Sequence, residues 1–331
     1  MTSAIQTEES IIQGFFAPLA AGHPGAFGLR DDAATIAPPP GHDLVVTVDA
    51  VAAGVHFFPN DAPADAGWKA LAVNVSDLAA KGAHPHAYVM SIAFPDAPTR
   101  DWLAAFASGL AEAQRAFGMH LIGGDTDRRP GPLSVTITAF GLVPAGAMVR
   151  RTTARRGDRI FVSGTLGDSA LGLRLRAGDA ATSTWGLTPD HQAHLLSRYL
   201  RPQPRTALAA TLRTHASAAM DISDGLLKDL GRMTAASGMA ALIHTDRLPL
   251  SAAAARVPAT NDRLAAIVSG GGDYEILATV APRDTAAFQA AALSAGVPVT
   301  GIGEIVTGSG VTLFDKDRRP IVLDHIGYDH F

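Results

Sequence analysis

No cysteine occurs in the 331 residues. Disulfides, thiolate zinc sites, iron–sulfur clusters and a cysteine nucleophile are therefore excluded. Lysine is confined to Lys69, Lys81, Lys228 and Lys316, and arginine supplies the other 23 cations. Glutamate is nearly as scarce, at 5 of the 31 acids. With a net charge of −4 and no basic block, the chain argues against a nucleic-acid surface. No apolar run reaches the roughly 18 residues that would span a bilayer. The opening MTSAIQTEES is polar and acidic, unlike a signal peptide, so the expected location is the cytoplasm. Several motifs are missing as well. There is no P-loop, no strand–GxGxxG–helix unit, no H-E-x-x-H and no G-x-S-x-G.

What is present is a chain 47% hydrophobic, able to bury a sizeable core, and long enough for two domains. Helical and strand patterns alternate along it. Helices are expected over 8–20, 65–81 and 99–117, and strands over 44–49, 86–94, 119–122 and 133–142. The GGDTDRRPG stretch is expected as the loop between the last two strands. The polar, basic 150–157 segment marks the boundary between domains 1–150 and 151–331. Alternation resumes with strands over 159–163, 218–222, 240–244, 274–280 and 297–305. The helices among them are expected over 168–176, 189–199, 224–236, 262–268 and 285–295. The fold class is α/β. Val75-Ser-Asp-Leu78 and Ile222-Ser-Asp-Gly225 echo each other faintly, a weak sign of duplication.

The other 26 acids are aspartates, and their positions are informative. Asp32, Asp49, Asp77, Asp125, Asp221 and Asp224 lie at or near junctions between apolar segments. Aspartate is a poor interior residue for either element, so grouping at ends suits turns, caps or hard-metal ligation. A cap, or a salt bridge with Lys69 or Lys81, explains any one of them. It explains six together poorly, because few cations adjoin them. Converging carboxylates need divalent cations between them, and oxygen ligands without His or Cys favour Mg²⁺. Because Mg²⁺ usually bridges carboxylates to phosphates, a polyphosphate substrate is expected. His84-Pro-His86 lacks further spaced zinc ligands and reads as a surface turn.

These residues resemble the thiamine-monophosphate kinase family, within the aminoimidazole ribonucleotide synthetase-like superfamily. The resemblance rests on RDDAA at 30–34, TVDAVAAGVHF at 47–57, KALAVNVSDLAAKGAHP at 69–85 and LIGGDT at 121–126. It continues through GTLGDSALGL at 164–173, RYLRPQPR at 198–205, MDISDGLLKDL at 220–230, SGGGDYEI at 269–276 and GYDHF at 327–331. It implies a two-domain α/β fold of the aminoimidazole-synthetase type and a homodimer paired through N-terminal sheets. It also implies ATP-dependent phosphorylation of thiamine phosphate to thiamine diphosphate. By resemblance the metal ligands are Asp32, Thr47, the Val48 carbonyl, Asp49, Asp77, Asp125, Asp221 and Asp224. Gly124, Asp125, Arg151 and Ser223 match nucleotide contacts, and His56, Gly272 and His325 match thiamine-phosphate positions. Gly272 departs from a glutamate common in the family. Its contact is then lost, made by backbone, or taken over by Asp273 or Glu275. The resemblance leaves two alternatives: a sensor that binds nucleotide or thiamine diphosphate without catalysis, and another ATP-dependent enzyme of the superfamily.

Overall fold

The computed structural model describes residues 7–323 together with 327–328. His325 and the last three residues of the terminal motif lie outside them. The chain forms two compact units. One runs to Leu78 and resumes over Ala83–Gly146; the other comprises Ala79–Gly82 and the chain from Ala147 onward. The division along the chain falls after Gly146, four residues from the cut expected at 150. The end of the second helix goes to the second unit, because Ala79 and Ala80 join a core with Val149, Leu208 and Leu212.

The first unit opens with α1 (Glu8–Ile11), which runs into a π-helical turn over Ile12–Phe16 and 3-10 segments over Ala17–Ala20 and Pro24–Leu29. One continuous helix over 8–20 is not formed. Pro18 lacks the N–H that an α-helical ladder needs there. Then follow β1 (His42–Ala52), α2 (Pro63–Ala80), β2 (His84–Phe94), α3 (Arg100–Phe117), β3 (His120–Arg128) and β4 (Ser134–Pro144). The sheet order is β1-β4-β2-β3. β2 and β3 are parallel, and β4 runs antiparallel to both β1 and β2. α3 begins where Thr99 Oγ1 accepts from the Trp102 N–H, and ends on the left-handed Gly118.

Two local expectations change. The GGDTD segment is strand rather than loop: β3 pairs with β2 as far as Phe94 opposite Arg128, with a register shift at Tyr88/Val89. His84-Pro-His86 opens β2 instead of forming a turn, and the His86 ring lies 5.5 Å from that of His23.

The second unit contains β5 (Arg159–Ser163), α4 (Asp168–Arg176), α5 (Pro189–Leu200), α6 (Ala209–His215), β6 (Ala216–Ile222) and α7 (Leu226–Ser237). Next come β7 (Ala240–His244), α8 (Ala252–Arg256), α9 (Asn261–Ser269), β8 (Glu275–Val280), α10 (Thr285–Ser294), β9 (Val299–Val306), β10 (Gly310–Phe314) and β11 (Pro320–Ile321). Their sheet order is β11-β10-β7-β9-β5-β8-β6. Alternate residues face opposite sides. Ile160, Val162, Met220 and Ile243 meet Leu226 and Leu230 of α7. Phe161, Ala219 and Ile276 face the other way, toward Leu212 of α6 and Phe288 of α10. The V-S-D-L and I-S-D-G echo has no structural counterpart. The first lies inside α2, whereas the second leaves the end of β6 as a loop.

Candidate active site

In the first unit, α2 is apolar almost all round, as a helix enclosed on every side must be. From Ala66 to Ala80 every residue is buried except Asp77, which is half-buried. A carboxylate there needs partners. Thr47 of β1 supplies one, its hydroxyl donating to Asp77 Oδ2 at 2.6 Å. One helical turn earlier, Asn74 accepts from the Asp49 N–H at 2.9 Å and donates to the Ala70 carbonyl at 3.1 Å. α2 thereby fixes both the side chain facing Thr47 and the backbone at Asp49. Among the described residues no ion pair reaches Asp32, Asp77 or Asp125.

Lys69, proposed above as a salt-bridge partner for Asp77, is used differently. It is buried and donates to the His56 carbonyl at 2.9 Å. Burial pulls its ammonium down to about 8, while Asp61 and Asp65 pull the other way. His56 is further held by the Ala52 N–H, which donates to Nδ1 at 3.0 Å and so leaves the proton of a neutral ring on Nε2. A lone lysine in an otherwise apolar helix was the available sequence signal for this support.

Asp32, Gly124 and Asp125 line one cavity of about 390 Å³, with Phe16, Leu29 and Ile122 on its apolar walls. Gly124 admits no side chain: a Cβ would lie 2.0 Å from the Met90 carbonyl oxygen. Val48 points its side chain outward, 58% exposed, on an edge strand.

In the second unit, Asp221 is the penultimate residue of β6 and is buried, and Ser223 and Asp224 follow Ile222 in the loop before α7. Three contacts shape this loop. Asp229 of α7 accepts from the Ser223 and Asp224 N–H groups at 3.0 and 2.9 Å. The Gly272 N–H donates to the Ser223 carbonyl at 2.8 Å. The Tyr328 N–H donates to the Asp224 carbonyl at 3.0 Å, and Lys228 donates to the Tyr328 carbonyl. Motifs about 100 residues apart therefore meet on one turn. Asp229 was not singled out from sequence, where it reads as an ordinary helical acid. Burial pushes its carboxyl above the usual range, with Arg232 opposing. Asp224 is itself ion-paired, with Arg232 at 2.7 Å and Lys228 at 3.7 Å. Arg151 is exposed on a loop.

Gly272 has φ +89°, and a side chain there would meet Ser169 Oγ at 2.6 Å. Neither neighbouring acid can take over a ligand contact. Asp273 is buried and accepts from the Gly167 and Ser169 N–H groups at 2.7 and 3.2 Å. Glu275 is buried between Ser163, Arg198 and Arg205. Burial, with the Asp168 charge, pushes Asp273 up to about 7 against its N–H donors and Arg198. Unfolded, the same group titrates near 3.9. The folded state therefore holds the extra proton between these values, and stability falls as pH rises from about 4 to about 7. Urea unfolding of the parent and Asp273→Asn at pH 5 and pH 7.5 is expected to show this decline in the parent alone. Equal slopes in the two proteins would contradict it.

Among the described residues no three His, Asp or Glu side chains stand close enough to grip an ion unaided. The donor chemistry still fits Mg²⁺ held partly by phosphate, which needs only one or two carboxylates per ion. The first unit offers such oxygens at Asp32, Asp77 and Asp125, uncompensated by cations among the described residues.

Comparison with known proteins defines the class. Residues 30–143 match the family described as AIR synthase related protein, N-terminal domain, and residues 155–316 match its C-terminal domain counterpart. Hydrogenase maturation protein HypE in complex with ATP shares this fold, at a TM-score of 0.77 and 18% identity over 98% of this chain and 96% of that one. Thiamine-monophosphate kinase of Caulobacter vibrioides is 41% identical over 99% of this chain and 92% of the relative. The Salmonella typhimurium enzyme is 41% identical over 92% of this chain and 91% of the relative. The chain belongs to the thiamine-monophosphate kinase family and is accordingly an enzyme of the kinase class. The crystal structure of thiamine-monophosphate kinase from Stenotrophomonas maltophilia superposes with a TM-score of 0.84 at 39% identity, covering 95% of this chain and 98% of the other. AaThiL complexed with AMPPCP and TMP superposes at 0.76 with 28% identity, covering 99% of each.

Proposed function

We propose that the chain transfers the γ-phosphoryl group of ATP to the phosphate of thiamine phosphate, forming thiamine diphosphate and ADP. The observation that carries this reading is the trio Asp32, Asp77 and Asp125 of the first unit, which no cation pairs among the described residues. The AaThiL complex, which holds the ATP analogue AMPPCP together with TMP, supports it.

Asp32, Thr47, the Val48 carbonyl, Asp49, Asp77, Asp125, Asp221 and Asp224 would hold Mg²⁺. When bound, Mg²⁺ supplies charge neutralisation to two anions that otherwise repel. Thr47 orients Asp77, and Asn74 holds β1 at Asp49. At Asp224, Arg232 and Lys228 compete with any ion. Gly124, Asp125, Arg151 and Ser223 would contact the nucleotide, with apolar walls such as Ile122 beside the base. His56, with Gly272 through its backbone and His325, would contact thiamine phosphate. Transfer is direct: the bond from the γ-phosphorus to its bridging oxygen breaks as an acceptor phosphate oxygen bonds in line. The acceptor's second pKa is about 6, so its oxygen is mostly anionic at neutral pH and needs no strong general base.

Incubation with ATP, thiamine phosphate and excess Mg²⁺ is expected to yield ADP and thiamine diphosphate in equal amounts. The rate should climb steeply with Mg²⁺ beyond the amount that saturates ATP. ATP binding without ADP release would point to a sensor, and turnover with a different acceptor to another enzyme of the superfamily.

A homodimer is part of the same proposal. β1 is an edge strand of eleven residues, with Val46 and Val48 55% and 58% exposed. An apolar edge left open is a template for pairing, and a second copy of this sheet would cover it. Light scattering should report a dimer for the parent and a monomer for Val46→Lys. A parent monomer would contradict this. No helix among the described residues is long and apolar enough to cross a membrane.

A further inference from the structure

The sheet of the second unit leaves part of one face open. α6 and α10 pack over Phe161, Ala219 and Ile276. Beyond them a hollow of about 800 Å³ lies over β9, β7 and β10. Its floor includes Phe161, Gly301, Gly303 and Phe314. Gly303 keeps it flat, since a side chain there would strike the Leu242 carbonyl oxygen at 2.0 Å, and one at 301 would rest in contact with the Phe161 ring at 3.4 Å. Such a volume suits a small molecule.

The lining is unusually cationic for this protein. Arg159 opens β5, Arg247 ends the 3-10 turn after β7, and Arg318 sits between β10 and β11. Among the described residues Glu304 is the one acid lining the hollow, and it is engaged by Arg159. Three arginines against one glutamate give +2 (3 − 1), in a chain whose net charge is −4. Among the described residues the Arg247 and Arg318 guanidiniums have no hydrogen-bond or ion-pair partner. Arg318 also holds a left-handed backbone, φ +61°, which side-chain-bearing residues seldom adopt. Like charges brought together from three separate elements, with Glu304 answering only Arg159, create a potential that an anion would relieve. Guanidinium forks match phosphate oxygens, and a phosphate carries close to two negative charges. His244 and Phe314, with ring centroids 6.1 Å apart and a 32° tilt, offer aromatic surface beside the flat floor.

We infer that this hollow is a binding site for a small phosphorylated molecule with a flat, apolar ring, and that it shares no residue with the carboxylate set. The phosphate sits among Arg159, Arg247 and Arg318, and the ring lies on the glycine floor against Phe161 and Phe314.

The test is equilibrium titration of the full chain and of Arg247→Ala/Arg318→Ala with ADP, after melting curves show both proteins folded. Both positions are exposed, so the variant should fold. The parent should bind one more ADP per chain than the variant, or bind it at least about 100-fold more tightly at that site, at roughly tenfold per arginine. Pyrophosphate should bind there about tenfold more weakly than ADP, and equal affinity would overturn the assignment of a ring. Identical ADP stoichiometry and affinity in the two proteins would overturn the site. The difference is read between parent and variant, so it survives even if the proposed kinase reading fails.

Discussion

Asp77→Asn should lower turnover at least about 100-fold while shifting the melting temperature by less than about 3 °C. The substitution keeps the shape and one acceptor oxygen, so the Thr47 hydroxyl still has a partner at the position where it now donates at 2.6 Å. What it removes is the charge. Were Asp77 a structural salt-bridge residue, removing its charge would leave a buried cation unpaired and cost stability. No cation contacts it among the described residues, so folding has little to lose. If Asp77 holds Mg²⁺ against phosphate, the reaction loses a ligand where two anions must meet. Thermal melts and steady-state kinetics on the same preparation separate the cases. A melting temperature that collapses with activity would return Asp77 to a structural role.

Glu275→Ala should have the reverse profile and destabilise the second unit by about 3–5 kcal/mol. Glu275 is fully buried. It accepts from Arg198 Nη2 at 2.8 Å, from Arg205 Nε at 2.7 Å and from the Ser163 hydroxyl at 2.5 Å. Truncation leaves two guanidiniums facing an empty pocket, one of them on a side chain only 10% exposed. Glu275→Gln preserves the shape and should cost less. Hydrogen exchange of the β5 and β8 amides, compared among parent, Ala and Gln variants, reads the effect locally. A loss below about 1 kcal/mol for alanine would mean that water already solvates the arginines.

These two acids show what the sequence could and could not reveal. Asp77 was legible because Trp68, Leu71, Val75 and Leu78 mark an apolar helix in which a carboxylate stands out. Its counterpart in the echo, Asp224, has almost the same neighbours in sequence but sits in a strand-to-helix loop, bound to Arg232 and Lys228. The i,i+4 spacing to Lys228 was visible; the loop conformation that brings in Arg232 was not. Glu275 and Asp273 sit in a visible motif, but their burial is not legible there, because segments far apart in sequence create it, α4 and α5 among them. Glycine and aspartate disfavour strands, so GGDTD read as a loop until parallel pairing with β2 carried β3 to Arg128. α6, α8, β10 and β11 were not expected from the sequence; all are short, and α6 and α8 span at most two helical turns. Overlong motifs such as MDISDGLLKDL and SGGGDYEI were the clearest signals, and the Gly272–Ser223 hydrogen bond shows two of them to be one structural unit.

The central claim is that Asp77 and its neighbours hold metal against phosphate. The most direct measurement is a crystal of the protein with AMPPCP, thiamine phosphate and Mn²⁺ in place of Mg²⁺, imaged by anomalous scattering. The account predicts manganese peaks within about 2.5 Å of carboxylate oxygens that include Asp77, each also touching a phosphate oxygen. Nucleotide bound with every manganese on phosphate and water alone, and Asp77 still engaged only with Thr47, would contradict it.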